Sequence, residues 1–332
     1  MFSSCVAFFK TNTKVISFVV ISFILGASLG FFTLRSDKVS LSDNCPIDLP
    51  FVKPEQDCES FEKTVQKIQT LRDDLRRQVN SYLDTKRADR VSVFVRDLDS
   101  QKFAYVNETE TFYMASLLKV PLAVAYFRLA ELTPDLLTQT VTYDGSFDLY
   151  ATQEIKPLKK LTPGTYTVKE LLDRSLMYSD NTSAELLSKN FVSYDYLQKI
   201  LFTLGLQPVE KDQSQNQVSA RSYAGIFRTL YNSSFLSRTY SDKILDTLSQ
   251  STFTEGASAL IPKSVKVAHK FAERSFISQG QTIHQLHDCG VMYADNGNQA
   301  FSFCIMTEGK ELANLKSVIQ NVSSTIYKGI TE

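Results

Sequence analysis

Residues 112–123 read FYMASLLKVPLA, and within them Ser116-Leu117-Leu118-Lys119 sets a hydroxyl and an amine three residues apart at the start of an apolar run. In a helix this spacing projects both side chains from one face, close enough for direct proton transfer. A serine hydroxyl is a weak nucleophile until a base takes its proton, and a lysine can serve when burial or a second cation brings its pKa toward neutrality. The run 117–132 is apolar on nearly every face, the pattern of a helix buried on all sides, which supplies the burial. The same helix start aims the Ser116 N–H at a developing oxyanion. Taken alone the pair is common, because most Ser-x-x-Lys matches are a capping serine beside a solvated lysine.

Reading outward gives the context. Upstream, Phe61, Val65, Ile68, Leu71, Leu75, Val79 and Leu83 recur at helical steps and predict an amphipathic helix with a solvated charged face. Val91, Val93 and Val95, the break at Asp99-Ser100 and the run 103–106 predict a β-hairpin. Downstream, Thr167-x-x-Glu170 and Thr182-x-x-Glu185 read as capping boxes of two helices that meet at Ser179-Asp180-Asn181, where Asp180 reads as a structural cap. Helices follow over 194–204, closed by Gly205, and over 220–231 and 241–249. Strands are expected over 265–270, 290–294 and 300–306, and a closing helix over 312–330. This order predicts an α+β fold. An antiparallel sheet is built from both chain ends with flanking helices, an all-helical subdomain spans about 116–250, and the cleft between the two is the natural place for chemistry.

Ser116-x-x-Lys119, then Ser179-Asp180-Asn181 in a turn between helices, then Lys270 on a late strand, resemble the SxxK, SDN and KTG set of class A β-lactamases and penicillin-binding proteins. The surrounding text, FYMASLLKVPLA, LTPGTYTVKELLDRSLMYSDNTSAELL and VKVAHKFAER, extends the likeness over roughly residues 71–330. The resemblance implies a serine hydrolase of β-lactamase/D,D-peptidase fold, in which Ser116 is acylated and Lys119 takes its proton. It further implies that Ser179 relays a proton to the departing nitrogen and Asn181 holds the substrate amide. Lys270 would attract the substrate carboxylate and depress the pKa of Lys119, and the backbone N–H of Glu273 would complete the oxyanion hole. The implied substrates are β-lactams or D-alanyl peptides of peptidoglycan, with no metal and no cofactor.

The pattern also departs from that family. Lys270-Phe271-Ala272 stands where Lys-Thr-Gly is expected, so the hydroxyl that would help hold a carboxylate is absent, and the Ala272 Cβ is expected to narrow the strand edge. Between Gly205 and Val218 the connection is short and lacks the ExxLN motif of class A enzymes. Glu210 is its sole glutamate and reads as a surface residue. Hydrolysis of the acyl-enzyme should then be slow. The alternative from another class is a cell-envelope scaffold that keeps the fold without turnover. His269, His284 and His287 lack ligand spacing, and His269 should point to the strand face opposite Lys270.

Lys+Arg and Asp+Glu both number 36, which leaves no global basic field for a nucleic acid. Residues 15–34 carry no charge and are long enough to span a bilayer. They are read as a transmembrane anchor or a cleavable signal, behind a cytoplasmic segment 1–14 and ahead of a Pro-containing linker 35–59. The domain 60–332 would then lie outside the cytoplasm. Among the cysteines, Cys45 and Cys58 sit close in sequence. The hairpin signal Asn296-Gly297 places Cys289 opposite Cys304, as a disulfide or as two small buried residues.

Overall fold

The computed structural model describes residues 58–207, 216–294, 297 and 299–331, with side chains from Val65 onward. The anchor segment 15–34, the linker, Cys45, the side chain of Cys58, Glu210 and Asn296 lie outside the described residues.

Helix α1 (Cys58–Asp84) leads into strands β1 (Arg90–Asp97), β2 (Phe103–Val106) and β3 (Thr111–Tyr113). A 3₁₀ turn, Ala115–Leu118, runs into α2 (Lys119–Ala130), followed by β4 (Thr140–Tyr143), β5 (Gly164–Thr167), α3 (Val168–Met177) and α4 (Asn181–Lys189). Next come α5 (Tyr194–Thr203), β6 (Gln217–Ser219), α6 (Ala220–Tyr231) and α7 (Arg238–Ser249). The chain closes with β7 (Lys266–Ser278), β8 (Gln281–Ala294), β9 (Gln299–Gly309) and α8 (Leu312–Thr331).

The main sheet runs β2-β1-β9-β8-β7, with every pairing antiparallel and strands drawn from both ends of the described chain. Alternation along each strand separates two cores. Val91, Val93, Val95, Phe303 and Ile305 pack with Leu71, Leu75 and Val79 of α1 and Val318, Ile319 and Val322 of α8. Phe94, Cys289, Val291, Cys304 and Met306 face the other way, onto Tyr223 and Phe227 of α6 and the helical block. A sheet covered on both faces needs apolar residues at both parities, which is why β1 is buried at five consecutive positions. Each fully buried leucine or valine contributes about 1.5–3 kcal/mol.

Several sequence expectations meet the structure closely. The Thr167/Glu170 capping box forms with both reciprocal hydrogen bonds, and Gly205 closes α5 at φ +77°. Cys289 and Cys304 are register partners and form a disulfide. Other features differ. The second capping box does not form, because Asp180 caps α4 and Thr182 is buried as the second residue of that helix. The helical block also carries two two-stranded ribbons, β3 with β6 and β4 with β5. Strands β7 and β8 run well past the expected ends through polar residues to a two-residue turn. There Gln279 and Gly280 both have positive φ, the geometry that matches strand twist in tight hairpins.

Candidate active site

Ser116 sits in the 3₁₀ turn Ala115–Leu118. Three contacts hold this turn in place: Met114 N–H donates to the Asn216 carbonyl (2.7 Å), Leu117 N–H to the Met114 carbonyl (2.9 Å), and the buried Tyr223 hydroxyl to the Leu117 carbonyl (2.7 Å). Ala115 adopts φ +44°. A non-glycine residue held there stores strain of order 1–3 kcal/mol, tolerated where surrounding contacts over-determine the backbone.

One turn later, Lys119 opens α2 with its Nζ buried among four oxygens. These are Ser116 Oγ (3.0 Å), the Ser179 carbonyl (2.6 Å), Ser179 Oγ (3.1 Å) and Asn181 Oδ1 (2.6 Å). A neutral amine has two N–H donors and one lone pair. Donation to the two shorter contacts, which are obligate acceptors, leaves the lone pair to accept from the Ser116 hydroxyl or the Ser179 hydroxyl, one at a time. Burial brings the Lys119 pKa down to about 7, against Asp180 and Glu273, which pull it upward. Burial first, then the charge of Lys119, pushes the buried Lys270 amine well below its ordinary value.

Ser179, at φ +57°, turns the chain between α3 and α4. Asp180 makes the turn rigid. Its Oδ1 accepts from Thr182 N (2.9 Å) and Ser183 N (3.3 Å), and its Oδ2 from Ser183 Oγ (3.0 Å) and Arg174 Nε (3.0 Å). Gln153, buried and reaching in from the β4–β5 connection, donates to the Ser179 carbonyl (3.0 Å) and accepts from Asn181 N (3.1 Å). Asp180→Ala removes the cap and strands the mostly buried Arg174, so a loss of about 3 kcal/mol is expected in urea denaturation, with Asp180→Asn losing less because it keeps a cap acceptor.

Strand β7 is the edge strand beside the Ser116 turn. Lys270 is 1% exposed; its Nζ donates to the neighbouring Phe271 carbonyl (2.9 Å) and lies 4.4 Å from the Phe271 ring centroid. The expected exposed cation for a substrate carboxylate is therefore sealed. Ala272 is buried in the core with Cys289 and Val291, so its methyl does not narrow the strand edge as expected. His269 takes the face opposite Lys270 and pairs with buried Asp288 (2.8 Å). His287, its pKa pulled to about 4 by burial, contacts the Tyr113 carbonyl. His284 contacts Ser275 Oγ (2.8 Å).

A cavity of about 300 Å³ is lined by Ser116, Lys119, Asn181, Glu185, Asn216 and Glu273, among others. It brings together three of the expected side chains, Ser116, Lys119 and Asn181, with Glu273; Ser179 lies behind Lys119, and Lys270 does not reach the wall. Two features escaped sequence reasoning. One is Gln153, which belongs to no motif. The other is the carboxylate of Glu273, for which the resemblance implies a role of the backbone N–H alone. Its Oε1 accepts from Glu154 N (2.7 Å) and Ile155 N (3.0 Å), while burial raises its pKa.

Residues 73–330 match a family described as the beta-lactamase enzyme family. The chain is 26% identical over 278 residues to beta-lactamase VEB-1 of Pseudomonas aeruginosa, covering 74% of this chain and 87% of that protein. A crystal structure of a beta-lactamase from Chitinophaga pinensis superposes with a TM-score of 0.66 at 19% identity, covering 78% of this chain and 100% of the other. The acyl-enzyme complex of a PBP-A variant with penicillin G gives 0.65 at 20% identity, covering 79% and 97%. The α+β architecture is common to these structures.

Proposed function

We propose, because the chain belongs to the beta-lactamase enzyme family, that it is a serine hydrolase in which Ser116 attacks a β-lactam or a D-alanyl peptide amide and is acylated. The single observation that carries this reading is the Lys119 amine, lowered to about 7 and 3.0 Å from Ser116 Oγ. Lys119 accepts the Ser116 proton as the Oγ–carbon bond forms. The carbonyl oxygen takes the negative charge facing the Ser116 and Glu273 N–H groups. Collapse breaks the carbon–nitrogen bond, and the proton passes from Lys119 through Ser179 Oγ, 3.1 Å away, to the departing nitrogen. Asn181, holding Lys119 through Oδ1, offers its amide N–H to the substrate. Lys270, buried within the strand edge, is given no contact with substrate in this scheme.

The domain is proposed to work outside the cytoplasm, carried there by residues 15–34 as an anchor or a signal. The Cys289–Cys304 disulfide suits an oxidising compartment. Among the described residues no helix is long and apolar enough to cross a membrane.

Intact-protein mass spectrometry after exposure to penicillin G tests the reading. One adduct per chain is expected, released slowly because the connection between Gly205 and Val218 lacks the ExxLN motif. Release within seconds would contradict slow hydrolysis. Absence of any adduct across a panel of lactams would favour the scaffold reading.

A further inference from the structure

The wall of the Ser116 cavity carries two carboxylates, Glu185 and Glu273, and Lys119 is its only cation among the described residues. Lys119 is already committed to Ser116, Ser179 and Asn181. Glu185 pairs with the exposed Lys189 at 2.8 Å, one turn beyond it on α4. For Glu273 the nearby Lys156 is the weakest influence on the carboxyl, behind burial, two backbone hydrogen bonds and the Glu154 charge. The hydrogen-bond partners of Glu273 are two backbone N–H groups of the β4–β5 connection, Glu154 N at 2.7 Å and Ile155 N at 3.0 Å.

Those two hydrogen bonds also fix where the Glu273 carboxylate stands. The connection is held at one side by Gln153 against Ser179 and Asn181, and at the other by Glu154, which accepts from Ser275 Oγ (2.5 Å). Glu273 is therefore clamped between its own strand and a strap that crosses to the Ser179 turn, and it cannot swing away without breaking both. The edge strand that would offer a cation to an anionic substrate group offers an anion, while Lys270 beneath it is closed off by the Phe271 carbonyl and ring. A like charge brought into a partly desolvated cleft meets a repulsion far larger than in bulk water.

We propose that Glu273 is a specificity-determining residue that inverts the charge preference of this cleft, so that its acyl donors are neutral or cationic beside the scissile amide and free carboxylates are disfavoured there. This rests on the acyl-enzyme reading of Ser116 and names the substrate class that site takes. The covalent step is unchanged: the Ser116 oxygen bonds to the carbonyl carbon, the amide carbon–nitrogen bond breaks, and the nitrogen leaves with the proton taken from Ser116. What changes is the encounter that precedes it.

The test compares one penicillin in three forms, the free acid, its methyl ester and a cationic aminoethyl amide, by the second-order rate of adduct formation on the full chain. The ester and the amide are expected to react roughly 10-fold or more faster than the acid, because the acid alone meets like-charge repulsion from Glu273 in a partly desolvated cleft. Salt at 0.5 M should narrow that ratio in the unmodified protein by screening. Glu273→Gln keeps an acceptor for the strap and should bring the acid-to-ester ratio toward unity, whereas Glu273→Asp should preserve the preference. A merely structural role would slow all three forms alike. An acid that reacts as fast as its ester in the unmodified protein, or a ratio untouched by Glu273→Gln, overturns the charge preference alone. Failure of all three forms to give an adduct overturns the acyl-enzyme reading, and this proposal with it. The salt and ester comparisons need no variant, so the test survives a Glu273→Gln protein that does not fold.

Discussion

Replacement of Ser116 by alanine is expected to abolish the penicillin adduct completely and to lower any amide hydrolysis by roughly 10⁶-fold, the scale seen when a serine nucleophile is removed from its catalytic group. Ser188 also lines the cavity, but its hydroxyl donates to the Glu185 carbonyl. Ser179 Oγ contacts the Lys119 amine at 3.1 Å, yet Ser179 is only 1% exposed and sits behind Lys119. The fold should tolerate the change, because the Ser116 turn is held by Met114, Leu117 and Tyr223 rather than by the serine side chain. An adduct of undiminished yield in Ser116→Ala, located by peptide mapping elsewhere, would remove the basis of the mechanism.

Lys119→Met should lower the acylation rate by roughly 10²–10⁴-fold, the usual contribution of a general base. The unmodified protein should show a rate that rises with pH and reaches half its plateau near pH 7, because only the unprotonated amine can accept the Ser116 proton and its pKa lies at about 7. Stability carries the same signature. In the unfolded chain this amine titrates near its ordinary value of 10.5. Between pH 7 and 10.5 the unfolded state therefore holds a proton that the folded state does not, and stability rises with pH across that window. Relative to Lys119→Met, the unmodified protein should gain on the order of 1 kcal/mol per pH unit there. Parallel stability curves for the two proteins would mean that the amine keeps its proton on folding, and the proposed base would be lost.

How much of this was legible beforehand depended on the range of the interaction concerned. Ser116 and Lys119 are three residues apart, so a single helical turn brings them together whatever surrounds them. Thr167 and Glu170 cap one turn, and Cys289 and Cys304 face each other once a tight turn sets the register. The extent of β7 and β8 was underestimated because their outer halves are polar, and their turn, Gln279-Gly280, lacks an Asn-Gly signal. Thr182 and Glu185 had the spacing of a cap, but Asp180 lies closer to the turn and accepts the helix N–H groups first.

The spacing of reactive groups along the chain was determined by the sequence alone, as was the α+β order of elements, because turns, caps and apolar periodicity act over a few residues. The burial of Lys119 to a pKa near 7, the closure of Lys270 under Phe271 and the placing of Glu273 in the cavity wall were decided only by the tertiary structure. Desolvation and charge at a site are sums over neighbours, and here those neighbours come from β7, the β4–β5 connection and the Ser179 turn, segments that only folding brings together.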